Sequence, residues 1–492
     1  MTLLLIITSL IIFSLISNFF PKREKIFIAV SILSIIFFYF FLANILFKSE
    51  TFYPSKEKNV YIPCGNYYNL LVDSFKNYKL NIFEDVNINT DDNIYNNYEH
   101  FLLDVSFYNN KFYLYFGITP ILLFYLPFNL VTTLYLTDDF LIFVLSCLNF
   151  LLSLFLVKKV IEKYTNVSSN FKILSLFLIG FCNLLPFIIT NIFIYQVAVL
   201  TANVLLLISF CLFYYYVTGN NIKIKYSLIF FISLFLCLSV GARPHYVLFI
   251  PIFFSSIIYL QFNEKSSNQE IVKSIFLFLI PCLIYGTILA LYNYIRFDSI
   301  FEFGWRHQLT SNNQLEFVPK FKDFIIGLKN NFFTLPTIND ETFFSLTQNT
   351  NHTIGKEYIT GVLWTCPIIT ILLFIPNFLK QIYKSNKKIF IFFLTFIIAI
   401  VINIILTSFF GMVIRYIFEF LSLMIILSVI IFLFYINNIK DKLTKNYLKF
   451  LFIMIFVFSM FINMSLLFCR ENFWSYPTLK NTNYTKTVNF LF

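Results

Sequence analysis

Asp104 stands in the run Leu102-Leu103-Asp104-Val105-Ser106-Phe107-Tyr108-Asn109-Asn110-Lys111, with a basic residue seven positions after the acid. A carboxylate can take a proton from a reacting hydroxyl, and an ammonium or guanidinium can hold a phosphate oxygen through a charged hydrogen bond. A second acid, Asp73, closes the run Tyr67-Tyr68-Asn69-Leu70-Leu71-Val72-Asp73. Asp104 and Asp73 are therefore the acid–base candidates. The anion-binding candidates are Lys111, Arg243, Arg296, Arg306, His307 and Arg415. Each also has a plainer use. Asp104 fits a helix N-cap, Lys111 a side chain snorkelling to headgroups, Arg243 a headgroup anchor, and Arg415 an i,i+4 ion pair with Glu419. His100, His245 and His352 show no ligand spacing, and no CxxC or Cys/His cluster predicts a metal. Asp104 with Asp73 is compatible with a divalent ion and does not require one.

The elements that must position these groups are membrane spans. Of the 492 residues, 59% are hydrophobic and 12% charged, with mean hydropathy +0.77, against about 25% charged in a soluble domain. The expected fold is an all-α polytopic membrane protein with about 12 transmembrane helices. Apolar runs long enough to cross fall at about 2–20, 26–47, 139–157, 173–190, 194–216, 227–242, 245–262, 275–292, 361–379, 389–407, 413–435 and 450–468. The first run lacks a preceding basic region and a small-residue cleavage site, so it is read as a retained span. Cys147, Cys182, Cys211, Cys237, Cys282 and Cys366 lie in or beside spans, and Cys64 and Cys469 in loops.

Segments 21–25, 158–172, 217–226, 263–274, 380–388 and 436–449 hold 19 Lys and Arg against five acids. All six fall on one side if both termini lie outside, so the net charge of +11 is a topology signal rather than a nucleic-acid one. The organisation is then two N-terminal spans (1–47), an outer loop A (48–138), spans (139–292), an outer loop B (293–360), spans (361–468) and an outer tail (469–492). Residues 113–136 are apolar enough to cross, but Gly117, Pro120 and Pro127 break them. Crossing there would also invert every later basic loop. They are read as a helix lying in the outer interface.

Several runs together resemble the bacterial GT-C glycosyltransferases, the lipid-phosphosugar-using enzymes related to protein mannosyltransferases and aminoarabinose transferases. They are the Asp104–Pro120 stretch, Tyr67–Asp73, Gly241-Ala242-Arg243-Pro244, Tyr292-Asn293-Tyr294-Ile295-Arg296-Phe297-Asp298, and Arg415-Tyr416-Ile417-Phe418-Glu419, in order over about residues 26–435. The resemblance implies an acidic catalytic residue in the first outer loop, followed by interfacial helices. It also implies transfer of a sugar from a polyprenyl-phosphate donor to a lipid, glycan or protein acceptor at the outer face of the bacterial inner membrane. Relatives usually carry an acid just before the Tyr-rich start of loop A. Here Cys64-Gly65-Asn66 stands there, with no carboxylate between Lys58 and Val72. Asp104 or Asp73 must take that role, or activity is lost.

The rival classes are a transporter or flippase, a polymerase or ligase for lipid-linked glycans, and a non-catalytic scaffold. A transporter wants charged or broken helices at the midplane and related halves. The spans read as nearly free of charge, without an internal repeat. Single cysteines at Asn93 and Asn339 in a Cys-free background are expected to react with an impermeant maleimide in intact spheroplasts. Labelling only after lysis would overturn the orientation.

Overall fold

Inside hydrocarbon a backbone N–H or C=O without a partner costs several kcal/mol, so apolar segments of about 20 residues close their hydrogen bonds internally as helices. The computed structural model describes residues 24–45, 67–84, 105–164, 168–190, 194–308, 320–339, 343–345, 347–348, 358–410 and 414–467. Among these, ten helices are long and apolar enough to cross a bilayer. They are α1 (Glu24–Ile45), α2 (Asp138–Tyr164), α3 (Ser169–Phe181, continued by Leu185–Thr190), α4 (Ile194–Thr218) and α5 (Ile222–Val240). The others are α6 (Phe249–Asn263, led by a 3-10 turn Pro244–Leu248), α7 (Asn268–Phe297), α8 (Lys387–Phe410), α9 (Ile414–Asn438) and α10 (Lys442–Leu466). The chain is an all-α polytopic membrane protein. α3, α4 and α9 form its centre, almost wholly buried, while α1, α6 and α7 turn broad apolar faces outward, as helices bathed in lipid do.

The expected twelve spans differ from this at two places. Residues 2–20 lie outside the described residues. Residues 361–379 are not one regular helix: a short turn of helix at Val362–Thr365 gives way to a 3-10 segment, Pro367–Phe374, and then to the helix Ile375–Ser385. Pro367 and Pro376 lack the N–H groups a continuous ladder needs, and Asn463 of α10 donates to the Thr365 carbonyl at the break (2.7 Å). This broken stretch packs against α9. Its start is held by Gly361 N donating to Thr334 O (2.8 Å). Its end is held by Tyr435 donating to Phe374 O (3.5 Å) and by Phe378 packing edge-on to Phe434.

Bonds between chain-distant residues show which ends of the helices lie together. Lys172 pairs with Glu24 (2.7 Å), Lys225 and Lys388 both pair with Glu264 (2.8 and 2.6 Å), Tyr214 donates to Lys159 O (2.9 Å), and the Lys449 ammonium sits 5.5 Å from the Phe171 ring centre. These contacts gather the ends of the basic loops at one end of the bundle. The described parts of the two long loops lie at the other.

Loop A brings strands as well as helix to that end. Asn109 and Asn110 adopt left-handed φ of 49° and 56°, the pair a two-residue type I′ hairpin requires. They join β2 (Val105–Tyr108) to β3 (Lys111–Leu114), and β3 also pairs with β1 (Phe83–Glu84). The expected interfacial helix over 113–136 is thus shorter. Residues 113 and 114 are strand, and helix begins at Ile121 as a π-turn leading into Leu126–Thr132. Twelve residues reach about 18 Å, well short of the ~30 Å hydrocarbon core. Both flanks of this helix sit at the same end: Thr119 N donates to Gly241 O (3.1 Å), and Tyr125 donates to Asp138. α7 likewise outruns its expected end, continuing to Phe297, where Asp298 caps it in a left-handed conformation (φ 54°).

Gly117 is where loop A touches the bundle. A Cβ there would lie 2.0 Å from the Gly241 carbonyl oxygen, a backbone atom that cannot swing aside. Gly117→Ala is expected to cost about 1–3 kcal/mol, as forced overpacking does. Gly286, with nothing within 4 Å of its virtual Cβ, should accept alanine with a small gain. Thermal unfolding of both variants in detergent checks the pair, and equal melting temperatures would refute the close docking.

Candidate functional site

Arg243 follows the end of α5 and precedes Pro244, which forbids it a helical backbone; it is extended at φ −141°, ψ 105°. That geometry aims the side chain at α9. There its Nε and Nη2 donate to one oxygen of Glu419 (3.1 and 2.9 Å), while His245 Nε2 meets the other oxygen (2.8 Å). Glu419 has no exposed surface, and the Arg243 side chain keeps 17%. Burial alone would lower the Arg243 pKa, but the Glu419 carboxylate outweighs it and raises it. The Glu419 backbone carbonyl also accepts from Asn203 of α4 and Asn403 of α8 (3.3 and 3.4 Å), and Asn149 of α2 donates to Asn203 (2.7 Å). One turn of α9 thereby engages α4, α8 and the α5–α6 connection, with α2 joined to it through Asn203.

The Arg243 guanidinium lies 4.7 Å from the ring centre of Tyr416, and the Arg415 guanidinium lies 5.2 Å from the same ring. Arg415 also sits 4.3 Å from the Tyr195 ring, which packs edge-on against Phe116 of loop A. The structure therefore brings Arg243 and Arg415 together, from positions far apart in sequence, beneath the incoming loop.

The other sequence candidates are placed elsewhere. Asp104 lies outside the described residues. Asp73 accepts both hydrogen-bond contacts of the Tyr135 hydroxyl (2.7 and 2.8 Å), tying the helix Tyr67–Lys76 to the chain before α2. The Tyr135 phenol is pushed up to about 12 by burial and then by that carboxylate. Lys111 is exposed on β3. Arg296 belongs to the last turn of α7 rather than to loop B, and it is buried. It donates to Leu114 O (2.9 Å), Asn293 Oδ1 (2.8 Å) and Tyr292 O (3.2 Å), and stacks 3.8 Å from the Tyr292 ring centre. Its donors are turned to holding β3 against α7. Arg306 is 79% exposed beside Glu302 (3.8 Å). His307 is sandwiched between Tyr108 and Phe297, where burial lowers its pKa. Among the described residues no three His, Cys, Asp or Glu side chains gather as a metal set.

Sequence reasoning missed His245, Tyr416 and Asp138. The signal for His245 was Glu419 itself, an ionisable residue inside a span that demands a partner at its own depth; the signal for Tyr416 was its place beside Arg415. Asp138 stands at the boundary between loop A and the following span. It is in fact buried at the first turn of α2, with Oδ1 taken by Tyr125.

No family model matches this chain, and no curated protein matches it in sequence. The chain is similar to two solved structures. The archaeal oligosaccharyltransferase AglB from Archaeoglobus fulgidus, in complex with an inhibitory peptide and a dolichol-phosphate, is 11% identical, with 88% of this chain and 55% of that chain covered and a TM-score of 0.48. An Archaeoglobus fulgidus oligosaccharyltransferase tethered to an acceptor peptide containing the NVT sequon is 12% identical, with 94% and 58% covered and a TM-score of 0.43. The chain spans a little over half the length of these two proteins.

Arg243→Ala would leave Glu419 charged and buried, and should destabilise the protein by about 3–5 kcal/mol. Adding Glu419→Gln to it removes the stranded charge and should recover part of the loss. Strictly additive losses in thermal unfolding would show that the two groups do not depend on each other.

Proposed function

We propose that the chain is a membrane glycosyltransferase that moves a sugar from a polyprenyl-phosphate donor to a lipid, glycan or protein acceptor at the outer face of a bacterial inner membrane. The observation that carries this is the convergence of Arg243 and Arg415 on Tyr416, with Arg243 oriented by the buried Glu419, at the bundle end opposite the basic loops. Basic loops stay cytoplasmic, which puts the two arginines at the outer surface. A lipid phosphate would reach them there with its tail still in hydrocarbon.

In the proposed reaction the acceptor hydroxyl attacks the anomeric carbon and the bond from that carbon to the phosphate oxygen breaks. Polyprenyl phosphate leaves with the added negative charge, and a loop A carboxylate takes the hydroxyl proton. Fixed guanidiniums stabilise the leaving phosphate more than the bound donor, because its charge grows as the bond breaks. Asp104 is the proposed base. Asp73 is the alternative, at the other side of loop A and already oriented by Tyr135. Lys111, Arg306 and His307 belong to the proposed site only as loop surfaces facing the acceptor.

Asp104→Asn keeps size and removes the base, so transfer in membranes should fall by about 10²–10⁴ while donor binding persists. Arg415→Ala should weaken donor binding by about 1.5–3 kcal/mol, and Arg415→Lys should restore only part, lacking the planar fork. If Asp73→Asn abolishes turnover and Asp104→Asn does not, the base is Asp73. If neither matters, sugar transfer through this loop is wrong. A deletion strain that retains the lipid intermediate on the cytoplasmic side would point to a flippase instead.

A further inference from the structure

Three buried polar atoms have no hydrogen-bond partner among the described residues: Oδ2 of Asp138, the hydroxyl of Tyr68 and the hydroxyl of Tyr292. Their residues are 4%, 0% and 7% exposed. They come from three elements: the first turn of α2, the short helix Tyr67–Lys76, and α7 two turns beyond Tyr285, whose hydroxyl meets Thr119. Tyr68 stacks on Tyr125 with ring centres 5.0 Å apart, and Tyr125 donates to the other oxygen of Asp138. Asp138, Arg243 and Tyr292 all lie within electrostatic reach of the Tyr68 hydroxyl. Unpartnered buried polar groups are rare, and each costs free energy until something bonds it.

The chemistry of these atoms selects what can do so. A carboxylate oxygen only accepts, so Asp138 requires a donor and repels an anion. Arg243 nearby disfavours a second cation. Phenol hydroxyls both donate and accept. A neutral hydroxyl meets all these demands, and a ring with adjacent hydroxyls can meet several at once. The sugar of a phosphate-linked donor begins one glycosidic oxygen from phosphorus, so a donor whose phosphate is held at Arg243 presents its sugar toward Tyr68, which Arg243, Asp138 and Tyr292 all reach electrostatically.

We infer that Asp138, Tyr68 and Tyr292 form the pocket that binds the hydroxyls of the donor sugar; this rests on the lipid-phosphate reading above. The phenols select the sugar without touching the leaving phosphate, and Asp138 orients it by accepting from one of its hydroxyls.

The test compares binding of undecaprenyl phosphate with that of undecaprenyl phosphate carrying glucose, galactose, mannose, arabinose or N-acetylglucosamine, using the full chain in lipid nanodiscs. The wild type is expected to bind at least one glycosylated lipid more than tenfold tighter than the bare lipid. Tyr68→Phe and Tyr292→Phe should each remove about tenfold of that gain, the size of one hydrogen bond, and leave bare-lipid affinity unchanged. Because each substitution deletes an unpartnered hydroxyl, the melting temperature without lipid should hold or rise, which a merely structural role would not produce. Asp138→Asn should remove most of the sugar gain. Phe variants that keep the full gain would overturn the pocket, as would a wild type that binds bare and glycosylated lipids equally. A wild type that binds no lipid phosphate would instead bring down the donor reading, and the pocket with it.

Discussion

A carboxylate with no exposed surface, set in an apolar bundle, is tolerable only if cations reach it, because removing a charge from water costs several kcal/mol even after relaxation. Glu419 meets that condition through Arg243 and His245, both supplied by the connection between α5 and α6. The demand fixes more than a pair of side chains. It sets how far α9 stands along its axis relative to that connection, since a shift of one turn would leave all three groups unpaired. Asn203 and Asn403, donating to the Glu419 carbonyl, hold the same level from α4 and α8. In lipid, where apolar packing does little to choose a register, such hydrogen bonds choose it.

The surface built on this framework is assembled by backbone contacts. Loop A enters between two glycines, Gly117 and Gly241, at a separation no side chain would permit. Thr119 bonds the end of α5 twice, through its amide to Gly241 O and its hydroxyl to Leu238 O. The hairpin before it is fastened to the end of α7 by Arg296 on Leu114 O and to loop B by Ser106 on Gly304 O. An arginine that reads as a ligand in the sequence is thus a structural clamp. Its burial is possible because carbonyl and amide oxygens, together with the Tyr292 ring, replace its water.

The proposed site is consequently divided by origin. Its cationic part belongs to the rigid bundle, where Tyr416 carries both guanidiniums. Its acids come from loop A and the first turn of α2, and among the described residues Asp73 and Asp138 are each already engaged by a tyrosine. That division suits a group transfer in which the leaving phosphate needs a fixed electrostatic cradle while the acceptor varies.

The spans and the common side of the basic loops were legible in the sequence, because both follow from one-dimensional quantities: apolar length against bilayer thickness, and charge against topology. Asn109-Asn110 carried a hairpin signal that the surrounding apolar pattern overrode. Residues 361–379 read as a plain span because hydropathy passes over Pro367 and Pro376, and at the break Asn463 donates to the freed Thr365 carbonyl. Glu419 was visible as an ionisable residue in a span, but its partners, 176 and 174 residues away, were not. Nor were the roles of Arg296 and Asp138. What a charged or polar side chain does depends on which groups share its depth and face in three dimensions. Hydropathy assigns a segment to the membrane without choosing its neighbours, and that choice was made only when the helices packed.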